Sequence, residues 1–385
     1  MKAALLKSPG VMELEDLPTP ECPPGGALLK IVACAVCGTD VKMLHQGHRD
    51  LAYPRILGHE IVGRIEEIDR NCACGLKEGD LCQVWPGIAC GSCGPCLRGA
   101  DNRCRNMKIM GFNFDGGFAE YMALPGQSLS RGANLLPENF DPALAALAEP
   151  LACCINGQEL TRVSEGDVVL IYGAGPIGAL HALLAELKGA GKVIIAEKLP
   201  ERIREIEKHT SAIAIDLSND RSNGLLIEQS IDQSTGQSVG RKMNQSIKSP
   251  GHERKDQTDN LESIIQSETG GEGVDVILTA TPEVRVDNAQ LHLLAPGGRI
   301  CIFSGPRPGN YQEQIDLRSM HYNESMIVGA YGCSSRQNRQ AVELLASGKI
   351  KADWIVTKRT ALSSIEEAFS HSSRRAGLKS VVYGV

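Results

Sequence analysis

Residues 90–104 read CGSCGPCLRGADNRC and place Cys90, Cys93, Cys96 and Cys104 in one short stretch. The spacing C-x2-C-x2-C-x7-C lets a single loop wrap four thiolates around a tetrahedral ion. An iron–sulfur cluster is the competing reading, because C-x2-C-x2-C also opens the ferredoxin pattern. Ferredoxins continue with three residues and then Cys-Pro, whereas the fourth cysteine here follows after seven. Gly91, Gly94 and Pro95 suit turns around one small ion. Four protein ligands leave no open position, so a zinc ion held here is structural.

A second group is spread along the chain. CAVCGTD (34–40) and LGHE (57–60) offer Cys37 and His59, and AEPLACC (148–154) adds Glu149, an acid inside an apolar run. A catalytic zinc takes Cys, His or carboxylate ligands and keeps one position open. A buried carboxylate needs a partner, and a metal is one such partner. Each piece also has a plainer reading: Cys34 with Cys37 makes a redox C-x-x-C pair, and His59 an ordinary loop histidine. The remaining cysteines (Cys22, Cys34, Cys72, Cys74, Cys82, Cys153, Cys154, Cys301 and Cys333) read as small apolar core residues.

The third group is GAGPIG, residues 173–178, directly after an apolar strand pattern and directly before a helical one. In that context G-x-G-x-x-G is a dinucleotide fingerprint. Gly173 allows the tight turn, Gly175 lets backbone approach a pyrophosphate, and Gly178 lets the helix pack closely. Pro176 and Ile177 lie between them where the helix N-terminus faces the phosphates. The next strand ends at Glu197, where the fingerprint expects an acid for the ribose hydroxyls. That acid favours NAD over NADP, while neighbouring Lys198 and Arg202 weaken the preference.

Positioning these groups requires two kinds of texture. Residues 1 to about 150 are rich in Gly and Cys with short β-type runs such as ALLKIVAC and EIVGRIEEI. From about 165 strand and helix patterns alternate: VVLIYG, KVIIAE, SAIAID, VDVILTAT, GRICIFSG and MIVGAYG, with helices predicted over 177–188, 200–209 and 284–294. Six apolar runs separated by helices imply a parallel sheet covered on both faces. Residues 218–260 are polar and read as an insertion. The final stretch, 333–385, carries a further helix and short strands that return to the first unit.

Composition narrows the partners. A net charge of −6 over 385 residues argues against nucleic acid and anionic membranes. The opening MKAALLKSPG reads as a first strand rather than a leader. The apolar stretch 168–187 reads as a buried strand and helix rather than a membrane span. Fourteen cysteines in so long a chain fit reduced thiols of the cytoplasm better than a disulfide framework.

Taken in order, CGTD, GHE, the four-cysteine lobe, AEPLA and GAGPIG resemble the zinc-dependent medium-chain alcohol and polyol dehydrogenases, nearly end to end apart from 218–260. FDGGFAEY (114–121), EPLA and MHYNE (320–324) look like the sorbitol, threonine and cyclitol dehydrogenase branch. The resemblance implies an α/β fold: a GroES-like, mostly β catalytic domain over 1–152 with its zinc lobe at about 88–106, and a Rossmann doubly wound parallel sheet over 153–332. Segment 333–385 would return to the catalytic domain. It implies two zinc ions per chain. Cys37, His59 and Glu149 would hold the catalytic one, with Glu60 as an alternative ligand, and Cys90, Cys93, Cys96 and Cys104 the structural one. Asp40 would orient His59, Thr39 would meet the substrate hydroxyl, and Thr279, Ala280 and Ser304 would lie along the nicotinamide. Lys42 stands where many relatives carry a relay histidine, with His45 close by. The implied activity is hydride transfer between a secondary alcohol of a polyol, sugar alcohol or cyclitol and NAD, by a homodimer or homotetramer. Threonine-like or inosamine substrates are the nearest alternative. A non-catalytic zinc-stabilised dinucleotide-binding protein and an iron–sulfur carrier are others.

Overall fold

A computed structural model describes residues 1–72, 74–218, 261–305 and 312–384. Of the expected insertion at 218–260, all but Ser218 lies outside the described residues.

The six apolar runs form one parallel sheet. In space its strands run Ile213–Asp216, Lys192–Glu197, Val168–Tyr172, Val274–Thr279, Leu294–Ile302, Met326–Gly329. Alternate residues serve opposite faces, as a two-residue period demands. Val169, Ile171, Val193, Ile195, Val276 and Leu278 enter one core, while Leu170, Tyr172, Ile194, Ala196 and Ile277 enter another. Strand order reverses between Val168–Tyr172 and Val274–Thr279, and a crevice opens at such a switch point beyond the carboxyl ends of the strands. Helices occupy Pro176–Leu187 and Pro200–His209 as expected.

One helix is shorter than its pattern. The 284–294 expectation becomes Asn288–His292, because Asp287 caps it. Its carboxylate accepts from Ala289 N–H, and Gln290 accepts from Asp287 N–H. Such a cap is worth ~1 kcal/mol and sets the start of the helix. Val284 and Val286, upstream of it, instead pack against the second face of the parallel sheet.

The first part of the chain and its last part share a second sheet. Its order is Ala133–Leu135, Leu81–Val84, Glu60–Ile68, Ala27–Val36, Lys379–Tyr383, Val356–Ala361, with Tyr121–Leu124 also paired to Ala27–Val36. Lys379–Tyr383 therefore lies inside this sheet, antiparallel to Ala27–Val36. The helix Ala148–Leu160 joins the two units: Leu151, Ala152 and Ile155 belong to a core that also takes Ala33, Ala35 and Val62 from one sheet and Val169 and Ile171 from the other. Among the described residues no helix is long and apolar enough to cross a membrane.

Candidate active site and dinucleotide cradle

Strand register assembles the metal-type donors. Ala35 pairs with Glu60 and Val36 pairs with Ser380, so the end of Ala27–Val36 and the starts of two neighbouring strands meet. Cys37 follows the first, His59 and Glu60 open the second, and Lys379 opens the third. Cys37 is also the N-cap of the Gly38–Gln46 helix, and its N–H donates to Asp40 Oδ2 at 2.8 Å. Asp40 Oδ1 lies 3.2 Å from His59 Nδ1. One fully buried carboxylate thus caps a helix and faces an imidazole. Asp40 Oδ1 and His59 Nδ1 make no hydrogen bond of good geometry despite this approach, and the buried carboxylate still faces the ring nitrogen. Burial would lower the His59 pKa, but the Asp40 carboxylate outweighs it and holds the imidazole well above its ordinary value. Such a carboxylate behind a histidine is the usual support of a metal ligand.

Cys37, His59 and Glu60 bring one donor atom each to within 4.8 Å of one another. Glu60 is completely buried and clasped by Lys379, whose Nζ donates to both carboxylate oxygens at 2.7 and 2.8 Å. Burial pushes the Lys379 ammonium down, yet the Glu60 charge prevails and the pKa stays above its ordinary value. Glu149 belongs to an adjacent cluster: the Cys153 thiol donates to its Oε1 at 3.3 Å, and Cys333 completes three donors within 4.8 Å. Burial raises the Glu149 carboxyl above its ordinary range; His59 opposes the shift and Glu60 adds to it. The expected set of Cys37, His59 and Glu149 is therefore divided, with Glu60 beside the first two and Glu149 turned to Cys153. Cys153 and Cys333 are not plain core thiols. Cys72 and Cys74 are not either, being half-buried with their sulfurs 2.7 Å apart. Thr39 is half-buried in the first turn after Cys37, while Lys42 and His45 are exposed on the same helix.

The four clustered cysteines do converge. Thiolates about 2.3 Å from one zinc ion stand ~3.8 Å apart at the corners of a tetrahedron. Here Cys93–Cys96, Cys93–Cys104 and Cys90–Cys96 are 3.5, 3.9 and 4.0 Å apart. Backbone N–H groups of Ser92 and Cys93 pull the Cys90 thiol down to about 6, which suits a thiolate ligand. These cysteines fit a single ion. The lobe is tied to the rest of the chain: Asp101 accepts from the N–H and hydroxyl of Ser335, and Asn102 donates to Tyr331 O.

The glycine motif sits at the switch point. Gly173 has φ +95°, and a Cβ on Gly178 would lie 1.8 Å from Gly173 O, so the helix docks only without one. Glu197 ends its strand with its carboxylate engaged by three amides: Ala174 N–H at 2.7 Å, Lys198 N–H at 2.6 Å and Leu199 N–H at 3.1 Å. It thereby ties the glycine turn to the neighbouring strand. Arg202 reaches back to the turn. Its Nη1 lies 3.3 Å from the Cβ position of Gly175, its Nη2 donates to Gly377 O, and its buried Nε has no partner. A guanidinium with one N–H still unpaired, beside a helix N-terminus, is a fit for a dinucleotide's phosphates. Lys198 is half-buried beside it. Ala280 and Ser304 follow the neighbouring strands at the same end of the sheet. Thr279 does not offer its hydroxyl freely: that group donates to Cys301 O and accepts from Phe303 N–H.

The two groups are neighbours because one helix serves both. Glu149 is in the first turn of Ala148–Leu160, and Cys154, ~7.5 Å further along the axis, donates its thiol to Ile177 O of the cradle. Lys379, the part played by Cys333 and the backbone at Gly377 escaped the sequence reading, whereas Cys153 was expected as a core thiol lying close to Glu149. The one signal for Lys379 was a lysine opening an otherwise apolar strand.

Residues 23–134 match the alcohol dehydrogenase GroES-like domain and residues 245–347 the zinc-binding dehydrogenase domain. The chain is 30% identical to L-threonine 3-dehydrogenase of Pyrococcus horikoshii over 96% of its own length and 94% of that protein. It is 28% identical to L-galactonate-5-dehydrogenase of Escherichia coli over 92% of this chain and 91% of the other. A zinc-binding dehydrogenase structure from Sinorhizobium meliloti, solved bound to NADP, superposes with a TM-score of 0.79 at 28% identity, covering 99% and 98% of the two chains. With its donor clusters, its cradle and this end-to-end likeness, the chain belongs to the zinc-type medium-chain dehydrogenases, NAD(P)-dependent oxidoreductases of alcohols, in their polyol and threonine branch.

Proposed function

We propose that this dehydrogenase oxidises a secondary alcohol of a polyol-type substrate, a sugar alcohol or sugar acid, with NAD preferred to NADP. The observation that carries the reading is the convergence of Cys37, His59 and Glu60, with Glu149 adjacent, on the helix that also abuts the glycine cradle. The L-galactonate relative supports a hydroxyl-rich substrate; the threonine relatives keep an amino alcohol as the second reading. In this reading Cys37 and His59 hold the catalytic zinc with an acid from Glu60 or Glu149, and Cys90, Cys93, Cys96 and Cys104 hold the structural one. Residues 1–152 with 333–385 form the catalytic domain and 153–332 the dinucleotide domain.

A zinc ion in the first set supplies Lewis acidity toward an alcohol oxygen, and a bound nicotinamide supplies the hydride acceptor. The chain's own residues do the rest. Asp40 fixes the imidazole of His59, so that its remaining nitrogen serves as a ligand. Lys379 supplies the counter-charge to the buried Glu60 carboxylate. Thr39, half-buried in the first turn after Cys37, would hydrogen-bond the substrate hydroxyl and start the proton relay, giving up its own hydroxyl proton toward solvent as it takes the substrate's. Gly173, Gly175, Pro176, Ile177 and Gly178 seat the pyrophosphate, with Arg202 and Lys198 providing positive charge. Glu197 receives the ribose hydroxyls and disfavours a 2′-phosphate. Ala280 and Ser304 flank the nicotinamide, with Thr279 holding the strand ends beneath them. Orienting both reactants in one crevice supplies much of the acceleration. A homodimer or homotetramer in the cytoplasm completes the proposal.

Reduction of NAD and of NADP, followed at equal substrate concentration with polyols, sugar acids, cyclitols and threonine, tests it. Turnover of polyols or sugar acids with a higher kcat/KM for NAD is the expected result. Turnover confined to threonine would replace the substrate reading, and a preference for NADP would remove Glu197 from its ribose role.

A further inference from the structure

The Glu149 cluster has the makings of a site of its own. Glu149 and Cys153 are one helical turn apart on Ala148–Leu160, and a four-residue spacing puts both side chains on one face. Cys333 comes from the loop before the Ser335–Ala346 helix and meets them there. That loop is pinned from two sides: Trp85 Nε1–H donates to Cys333 O at 3.0 Å, and Asn156 Nδ2–H donates to Gly332 O at 2.9 Å. Three donor atoms thus stand within 4.8 Å of one another on a rigid frame, two of them sulfur. Glu149 and Cys153 are each half-buried rather than sealed, and Tyr331, two residues before Cys333, is 64% exposed, so an ion has a way in from solvent.

We infer that Glu149, Cys153 and Cys333 form a second divalent-metal position in the cleft, distinct from the Cys37–His59–Glu60 set and selective for thiophilic ions such as zinc and cadmium. Two thiolates and one carboxylate leave a fourth tetrahedral position open. Each thiol gives its proton to solvent when the ion enters. The ion binds only the assembled site, so occupancy rises with the concentration of free metal. The consequence for activity follows from sharing. An ion here commits Glu149 to the thiols and withdraws it from the first set, where the other acid, Glu60, is already paired with Lys379. Excess zinc or cadmium then slows the enzyme. This regulatory part rests on the proposed catalytic reading; the metal position itself does not.

The test adds Cd2+ to the reduced, zinc-loaded full chain, reading bound metals by elemental analysis and the thiolate-to-cadmium absorption in the ultraviolet. The wild type should take up one additional cadmium per chain with zinc content unchanged, and lose turnover in parallel. Cys333→Ser and Cys153→Ser should each take up none, keep their zinc, and turn over at undiminished rate in cadmium. Cys37→Ser should still take up the additional ion. Uptake matched by zinc loss, no uptake, or uptake unaltered in both serine variants overturns the site. Uptake as expected in a protein silent with every alcohol offered would leave the metal position standing and remove the catalytic reading instead.

Discussion

Glu60 and Lys379 are both out of reach of water, and each is the other's direct ion-pair partner. Removing one partner of such a pair strands the remaining charge, at a cost of about 3–5 kcal/mol, whereas replacing both costs much less. Lys379→Met should therefore lower the urea midpoint sharply, and adding Glu60→Gln should recover most of the loss. A midpoint unmoved by Lys379→Met would show that Glu60 has another counter-charge. This pair also marks the limit of what residues disclose on their own. CGTD, GHE and EPLA were legible because each motif is local and chemically distinctive. Lys379 was not, because nothing near it names Glu60, 319 positions away. Only the register of three adjacent strands brings them together. The same holds for the Glu149 cluster: Glu149 and Cys153, four residues apart, were readable as neighbours, but Cys333 joins them only from a loop 180 positions further on.

Among elements, the Pro176–Leu187 helix and its preceding turn do most to place chemistry. Gly178→Ala would push a Cβ to 1.8 Å from Gly173 O and must displace the helix, whereas on Gly175 the Cβ meets only the end of Arg202 at 3.3 Å. Gly178→Ala should abolish dinucleotide binding and lower the melting temperature, and Gly175→Ala should weaken binding with little change in melting; equal melting of the two would refute the close-packing argument. On the same helix, His181 is buried against Phe303 and beside Gln158, and burial holds its pKa down to about 3. An imidazole depressed from 6.5 binds its proton in the unfolded chain first. Its contribution is intact above pH 6.5 and is lost as pH falls below it, by up to ~1.4 kcal/mol per pH unit. His181→Gln should flatten the decline of stability between pH 6.5 and 4, measured by urea unfolding; an unchanged slope would place the acid sensitivity elsewhere. Elements with strong periodicity and a clear cap were readable in advance. The helix expected at 284–294 was not, because Asp287 interrupts an apolar spacing with a local hydrogen-bonded start.

Across the whole molecule, the four-cysteine lobe and the cleft are mechanically joined. Asp101 and Asn102 of the lobe hold Ser335 and Tyr331, on either side of Cys333. Cys93→Ser should cost one zinc per chain, speed backbone hydrogen exchange at 331–335, and lower turnover although Cys37 and His59 are untouched. Full zinc content in that variant would sink the structural assignment. The division into a mostly β unit and a parallel sheet was legible from texture alone, since a period of two and a strand–helix alternation are properties of short windows. The interleaving of distant segments in one sheet was legible only as a return of the last stretch. That interleaving sets a schedule for synthesis. Lys379–Tyr383 fills an interior place beside Ala27–Val36, so at ~5–20 residues per second the earlier strand waits roughly 17–70 s for its neighbour. Through that interval a nascent chain carries an open strand edge and an uncompensated Glu60, a natural target for chaperones. The four cysteines, all within residues 90–104, can load zinc as soon as they leave the ribosome. On the proposed assignments the two metal positions mature in order, the scaffold's while the chain is still being made and the reacting one only after its last strand is in place.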